Sequence, residues 1–397
     1  MKKLISMTVT FVFTVSLLSA GSAFAYTDEE INEAISELNS QIKSLKEGGD
    51  KSATVAGRAY IAYESSHMKD SRFNEFAIHR VYLDFKKKLD KNVDARFTLD
   101  VDRFEPLTSA SYDPGPPVGV STKSDERLIA YLKYAYFGLN NLDVPYTGLS
   151  TVRLGQQATH WIDFMQNHWK FRYVQKTMTD YFKVFSSADL GLGALGGFDL
   201  SSLMIPYIGR FDYHATLMNG EGYKKPEGDA NGDKHLAVTI KTEPVRWGKS
   251  DVVTSAIGWY VEDYPIKKDQ NPASRDLTNA LTAMTSYAFT KPGKGLVFVE
   301  GYLGNMVPAA PADKTTLASG VSIGGQYQLI PDVNAFGRFD NFDPDASFAN
   351  MDKKLLTVFG VEYNWGANVK LALDWQNEQK DGVDQKKSIN VHTRVKW

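Results

Sequence analysis

Residues 387–397 read KSINVHTRVKW and decide the fold. Ile389, Val391, Thr393, Val395 and Trp397 fall on one face of a strand, and Ser388, Asn390, His392, Arg394 and Lys396 on the other. Successive side chains of a strand point to opposite faces, so this is an eleven-residue ribbon with one apolar and one polar side. The ribbon stops on an aromatic in phase with its apolar face, and the chain opens with an export signal. Together these suggest a strand that closes a barrel in a bacterial outer membrane.

The signal reads from the other end of the chain. Lys2 and Lys3 precede an apolar stretch from Leu4 to Leu18, and Ala23 and Ala25 supply the small residues of a cleavage site. Residues 1–25 are therefore expected to be a signal peptide. A retained membrane helix is the poorer reading, because the stretch falls short of about 20 apolar residues. No later segment approaches that length without charges. Removal of Lys2 and Lys3 takes the formal charge from −2 to −4, which gives no electrostatic case for nucleic acid. Cysteine is absent, so neither disulfides nor thiolate metal sites are expected to carry the fold.

Residues 26–50 form the next unit. Ile31, Ile35, Leu38, Ile42 and Leu45 recur at spacings of four and three, with polar residues between them. Asp28, Glu29 and Glu30 favour a helix start, and Gly48 and Gly49 end it. The pattern predicts a periplasmic amphipathic helix, either lying on the protein's own surface or pairing between subunits as a short coiled coil. Isoleucine at both seam positions leans toward three strands.

From residue 51 to 397 the expected unit is a transmembrane β-barrel. The clearest strand is 92–102, where Val93, Ala95, Phe97, Leu99 and Val101 face one way and Asp94, Arg96, Thr98, Asp100 and Asp102 the other. Further strands are expected near 53–63, 76–88, 127–137, 150–157, 186–195, 204–218, 234–246, 251–263, 276–290, 294–304, 317–330, 332–343, 353–365, 366–378 and 387–397, sixteen in all. Long polar connections (64–75, 103–126, 158–185, 219–233, 264–275, 305–316, 344–352 and 379–386) interleave with short turns, the pattern of an outer-membrane barrel. Two turns, 138–149 and 196–203, are longer than the rest. An even strand count places both termini in the periplasm. A soluble β-sandwich gives no reason for that alternation. His168 to Lys176 also alternates, so eighteen strands is the competing count.

No catalytic constellation stands out, so neither an enzyme nor a cofactor is expected. His79, His160, His168, His214 and His392 are scattered, with no pair at metal-ligand spacing, and nucleophile elbows and phosphate loops are missing. The remaining chemistry is that of a pore. If apolar alternates face lipid, Arg58, Arg80, Asp94, Arg96, Lys133, Arg153, Arg210, Arg338 and Arg394 line the lumen. Cations and carboxylates are nearly balanced there, and adjacent opposite charges can simply brace the wall. The third long loop is too aromatic for open water, with Trp161, Phe164, Trp169, Phe171, Tyr173, Tyr181 and Phe182. It is expected to fold into the bore as a constriction, with Trp161, Asp163, Lys170, Arg172, Lys176, Asp180 and Lys183 as its candidate residues, or else to plug or brace the barrel. Its modest positive excess points to a weak anion preference.

The segments Phe76 to Phe85, Val93 to Phe97 and Val152 to Gln156 resemble the phosphate-selective porin O and P family. The resemblance implies a sixteen-stranded trimeric porin with a periplasmic N-terminal extension and an inward third loop. It leaves the solute open. The expected partners are the lipid bilayer, two further copies of the chain, and small hydrophilic solutes or anions. Two rival roles are a sheath around a partner protein such as an electron-transfer cytochrome, and a structural tether of the outer membrane through residues 27–47.

Overall fold

The computed structural model describes residues 53–68, 71–103, 128–200, 210–220, 222–224, 234–247, 251–265, 275–291, 293–306, 316–346 and 352–397. The expected signal peptide and periplasmic helix lie outside these. Sixteen strands account for most of the rest. They are β1 Ala53–Met68, β2 Ser71–Asp90, β3 Val93–Arg103, β4 Leu128–Asn140, β5 Leu149–Ala158, β6 Ala188–Asp199, β7 Arg210–Met218 and β8 His235–Trp247. The second half comprises β9 Asp251–Pro265, β10 Arg275–Phe289, β11 Gly295–Met306, β12 Thr316–Ile330, β13 Val333–Asp343, β14 Lys354–Trp365, β15 Val369–Lys380 and β16 Val383–Lys396.

Each strand pairs antiparallel with its sequence neighbours, and β1 pairs with β16 to close the ring. Closure leaves no exposed edge, so every strand finds backbone partners on both sides. Where the ends meet, Gly57 and Trp397 exchange both backbone hydrogen bonds, at 3.0 and 3.1 Å. The Trp397 indole lies over Gly57, and a Cβ there would sit 2.3 Å from the ring. A glycine is what lets the terminal tryptophan lie flat on the outer wall.

The wall is inverted relative to a soluble protein. Ile61, Leu154, Leu192, Ile257, Val299, Ile323, Phe359 and Ile389 are exposed on the outside. The alternate positions point inward and are buried, among them Thr98, Asp100, Glu300, Ser322, Asp340, Glu362, Asp374 and Asn390. Period-2 alternation therefore sorts apolar side chains to the exterior and polar ones to the interior.

The sixteen-strand count holds, and the eighteen-strand alternative does not. Residues 168–176 are the end of a helix followed by turns, not a strand. Two expected loops are also corrected. Within 64–75 the chain is β1 running up to Met68 and β2 leaving from Ser71. Within 379–386 the strands continue to a two-residue turn, Asp381 and Gly382, both at positive φ. Asp-Gly in a type I′ turn matches the strand twist, and the polar alternates around it are strand residues above the apolar belt. Of the expected strand 204–218, residues 210–218 are β7, and 204–209 lie outside the described residues.

Replacing outward-facing Ile323 by arginine is expected to destabilise the barrel by about 2–4 kcal/mol. The same change at inward Gln326 should cost less than half as much. Urea unfolding in lipid vesicles measures both.

Candidate functional site: the lumen and its inward loop

The chain between β5 and β6 turns into the barrel. It contains helix α1, His160–Trp169, and a single turn α2, Met178–Tyr181. Thr159 starts α1 in extended geometry, and Lys170, at φ 59°, ends it by donating its backbone N–H to the Gln166 carbonyl at 2.9 Å. Trp161, Ile162, Met165, Trp169, Phe171 and Met178 are almost wholly buried. Each contributes roughly 1.5–3 kcal/mol to holding the loop in place.

The receiving surface is the inner face of β9 to β16. Phe171 stacks on Phe336 with ring centres 4.2 Å apart, Phe182 on Phe342 at 4.6 Å, and Phe185 on Tyr260 at 4.0 Å. Gly258 makes room for the first anchor, since a Cβ there would meet the Trp161 ring at 2.9 Å. Two wall carboxylates fix the polar edges of the loop. Glu300 accepts from Trp161 Nε1–H at 2.8 Å and from the Thr179 hydroxyl at 3.3 Å, so one carboxylate clasps both ends of the segment. Glu362 accepts from the Tyr173 hydroxyl at 2.7 Å and from Lys370 Nζ at 2.6 Å.

The opposite wall, β1 to β5, carries tyrosines with cations over them. Arg58 and Lys133 lie over Tyr82 at 4.9 and 5.1 Å, Arg96 over Tyr134 at 4.4 Å, and Arg153 over Tyr136 at 5.1 Å. Lys224, from the segment after β7, lies over Tyr131 at 5.0 Å. Such contacts are each worth about 0.5–2 kcal/mol and hold the cations against the wall. Carboxylates pair with several of them. Arg80 bridges Asp100 at 2.8 Å and Asp102 at 2.7 Å, and Arg96 binds Asp84 at 2.7 Å.

Lys133 reaches the lumen through a bulge. Thr98 pairs with Tyr134 and Leu99 with Leu132, which leaves Lys133 as the extra residue of β4. Strict alternation with outward-facing Phe137 would have put it in lipid. A bulge re-aims one side chain, and here it aims a cation inward. His79 is the corresponding extra residue of β2, and its Nε2 lies 2.9 Å from Glu64 Oε1.

The expected loop residues divide into three kinds. Trp161 is an anchor against the wall. Asp163, Lys170 and Lys183 are exposed, and Lys176 is half-buried. Arg172 and Asp180 form an ion pair across the loop at 3.2 Å. Burial works to raise the Asp180 carboxyl, but Arg172 together with Lys176, Lys133 and Arg80 outweighs it and holds the group below its usual range. Burial pushes the His160 imidazole down to about 4, so α1 begins with a neutral ring at pH 7.

The expected lumen residues fall as follows. Arg58, Arg80, Arg96, Lys133 and Arg153 share the tyrosine wall. Asp94 and the exposed Arg210, which pairs with Asp212 at 2.7 Å, lie toward the strand ends at the turn side of the barrel. Arg338 and Arg394 lie beneath the loop, over Trp169 at 4.6 Å and Tyr173 at 5.7 Å. Sequence reasoning places Glu300 and Glu362 in the lumen but missed their clasp on the loop, the tyrosines and the inward apolar patch. Its signal was present: Leu296 to Val299 and Leu355 to Phe359 break alternation by being apolar on both faces, as strands covered on both sides are.

No protein-family profile matches the chain. No curated protein matches its sequence. Solved structures do match in fold. OprB of Pseudomonas putida, in its high-pH structure, aligns over 90% of this chain and 96% of its own at 9% identity, with a TM-score of 0.62. A loop-deleted OmpT, an outer membrane protein of Vibrio cholerae, aligns over 87% and 100% at 12% identity and 0.54. An anion-selective porin from Comamonas acidovorans aligns over 87% and 99% at 10% identity and 0.51. The fold is that of outer-membrane porins and channels.

Glu300→Ala removes both ends of the clasp, each a buried hydrogen bond worth about 0.5–1.5 kcal/mol. The barrel should still form, while trypsin should cut at Lys170, Arg172 or Lys176 at least tenfold faster than in the parent chain.

Proposed function

We propose that the chain is an outer-membrane porin, a passive diffusion channel for small hydrophilic solutes with a weak anion preference. One observation carries this reading: the inward loop covers the β9–β16 wall and leaves the bore bordered by the cation-bearing β1–β5 wall. Among the described residues, that wall and its neighbour Lys224 carry inward Arg58, Arg80, Lys86, Lys88, Arg96, Lys133, Arg153 and Lys224 against Glu64, Glu75, Asp84, Asp94, Asp100 and Asp102. A moderate cation excess at a narrow point favours anions. The polar interior and apolar exterior support placement in the bacterial outer membrane, with both termini periplasmic.

The kinship with phosphate-selective porins O and P, and assembly as a trimer, belong to the same proposal. So do the signal peptide at 1–25 and the coiled coil through Ile31, Ile35, Leu38, Ile42 and Leu45. The loop's position inside the bore argues against a sheath for a threaded cytochrome. Among the described residues, the lumen is braced by hydrogen bonds and ion pairs such as Arg80 with Asp100 and Arg338 with Asp340.

Planar bilayers with a tenfold salt gradient test the reading. Discrete conductance steps and a reversal potential on the anion side are expected, and Lys133→Gln with Arg153→Gln should move it toward zero or to the cation side. Well-folded protein without steps would overturn the channel; a cation-directed potential in the parent would overturn the preference.

Asp180 adds a pH signature. Its carboxyl is held below its ordinary 3.8, so it stays ionised through pH 5 and protonates only below 3.8. The stabilisation it gives the loop is present above the ordinary carboxylate range and is lost as the pH falls through its lowered value. The conductance difference between the parent and Asp180→Asn should be constant from pH 7 to 5 and disappear only below 3.8.

A further inference from the structure

Among the described residues, the outer wall changes character on β1, β2 and β16 near the loop-side rim. On β1, β2 and β16 the outward residues run from Ile61, Tyr63, Phe76 and Val391 to Ser65, Asn74 and Ile389, and then to His67, Arg72 and Lys387. Ser65 pairs with Asn74 and Ile389, His67 pairs with Arg72 and Lys387, and Ile389 pairs with Trp375, so all of these share the outer face. With Ser66 and Ser388 of the alternate register, they border an open cavity of about 490 Å³. Its floor is Trp375, whose ring lies 4.9 Å from Phe359, and its polar side is Arg72, His67, Asn74 and Lys387.

These polar groups are already oriented. Arg72 donates Nε–H to His67 Nδ1 at 3.3 Å, and the Ser65 hydroxyl donates to Asn74 at 3.0 Å. Asp384 holds Lys387 at 2.5 Å and accepts amides from Asn377 and Gln379. The same height on the far side of the barrel carries Asn305, Ser319, Asn341 and Asp343, with no cation among them. The basic cluster lies on the described outer face of β1, β2 and β16. It stands where long cationic side chains reach from the apolar belt to the headgroup layer.

We propose that this cavity binds the phosphorylated sugar headgroup of an outer-leaflet glycolipid. Arg72 and Lys387 meet the phosphate, Ser65 and Asn74 meet sugar hydroxyls, and Trp375 offers a flat face to the sugar ring. Phe76, 83% exposed, and Ile389 lie below it against the acyl chains. The inference rests on the outer-membrane reading above.

The test titrates the full chain, in detergent micelles, with a fluorescent diphosphorylated diglucosamine lipid and with the same lipid after phosphate removal. The phosphorylated lipid is expected to bind more tightly. Arg72→Gln with Lys387→Gln should weaken it about thirtyfold, from about a factor of five for each cation near a charged lipid surface. Equal binding of both lipids, or an unchanged affinity in the variant, would overturn the proposal. So would competition by equimolar inorganic phosphate, which would mark a free-anion site. A variant that changes oligomer size but not lipid affinity would instead assign the face to a second copy of the chain. Heat-shifted gel migration and conductance steps, followed in parallel on the variant, report the barrel and the channel separately from the lipid site.

Discussion

Ring closure between β1 and β16 is the constraint on which the rest of this structure depends. In hydrocarbon no water satisfies a backbone N–H or C=O, so a sheet survives there only without edges. Ten residue pairs from Arg58–Lys396 to His67–Lys387 remove the last edge, and the reciprocal bonds of Gly57 with Trp397 finish it. Once the ring is closed, alternation has two consequences. The outside becomes apolar, and the inside becomes a tube that sixteen strands make too wide for wall side chains alone to fill.

The inward loop answers that second consequence. Its aromatic residues cannot remain in water, and the inner faces of β9 to β16 offer a matching surface. Glu300 and Glu362 determine where the loop lies, because buried carboxylates demand donors and Trp161, Thr179 and Tyr173 supply them. The loop thereby packs against the inner faces of β9 to β16, and the tyrosine-borne cations lie on the β1 to β5 side. That side holds Arg58, Arg96, Lys133 and Arg153 over tyrosines and Arg80 against Asp100 and Asp102, with Arg80 and Lys133 buried, and the two bulges at His79 and Lys133 add groups that strict alternation would have turned outward.

Much of this was legible in the sequence, and the reasons differ by element. Strands such as Val93–Arg103 and Val383–Lys396 are readable because one face meets lipid and the other water, which writes period 2 into the residues. The inward loop is readable because eight aromatics in one connection, Phe185 included, need a surface. The hairpin tips at 64–75 and 379–386 are not, since above the apolar belt a strand is polar on both faces and looks like a loop. Lys133 is a different case: sequence assigned it to the lumen, but only the bulge, invisible in the pattern, explains how it gets there. The clasping role of Glu300 depends on residues more than one hundred positions away, and no local pattern encodes such a contact.

Protection of the covered wall tests the central claim most directly. The chain has no cysteine, so single cysteines can be read without background. Thr282, fully buried on the inner face behind Trp161 and Gly258, is predicted to resist a hydrophilic maleimide when changed to cysteine, while Arg58→Cys on the open wall reacts. Adding Glu300→Ala to Thr282→Cys should bring its labelling up to that of Arg58→Cys. Equal, rapid labelling of both sites in the otherwise native chain would contradict a loop docked inside the barrel.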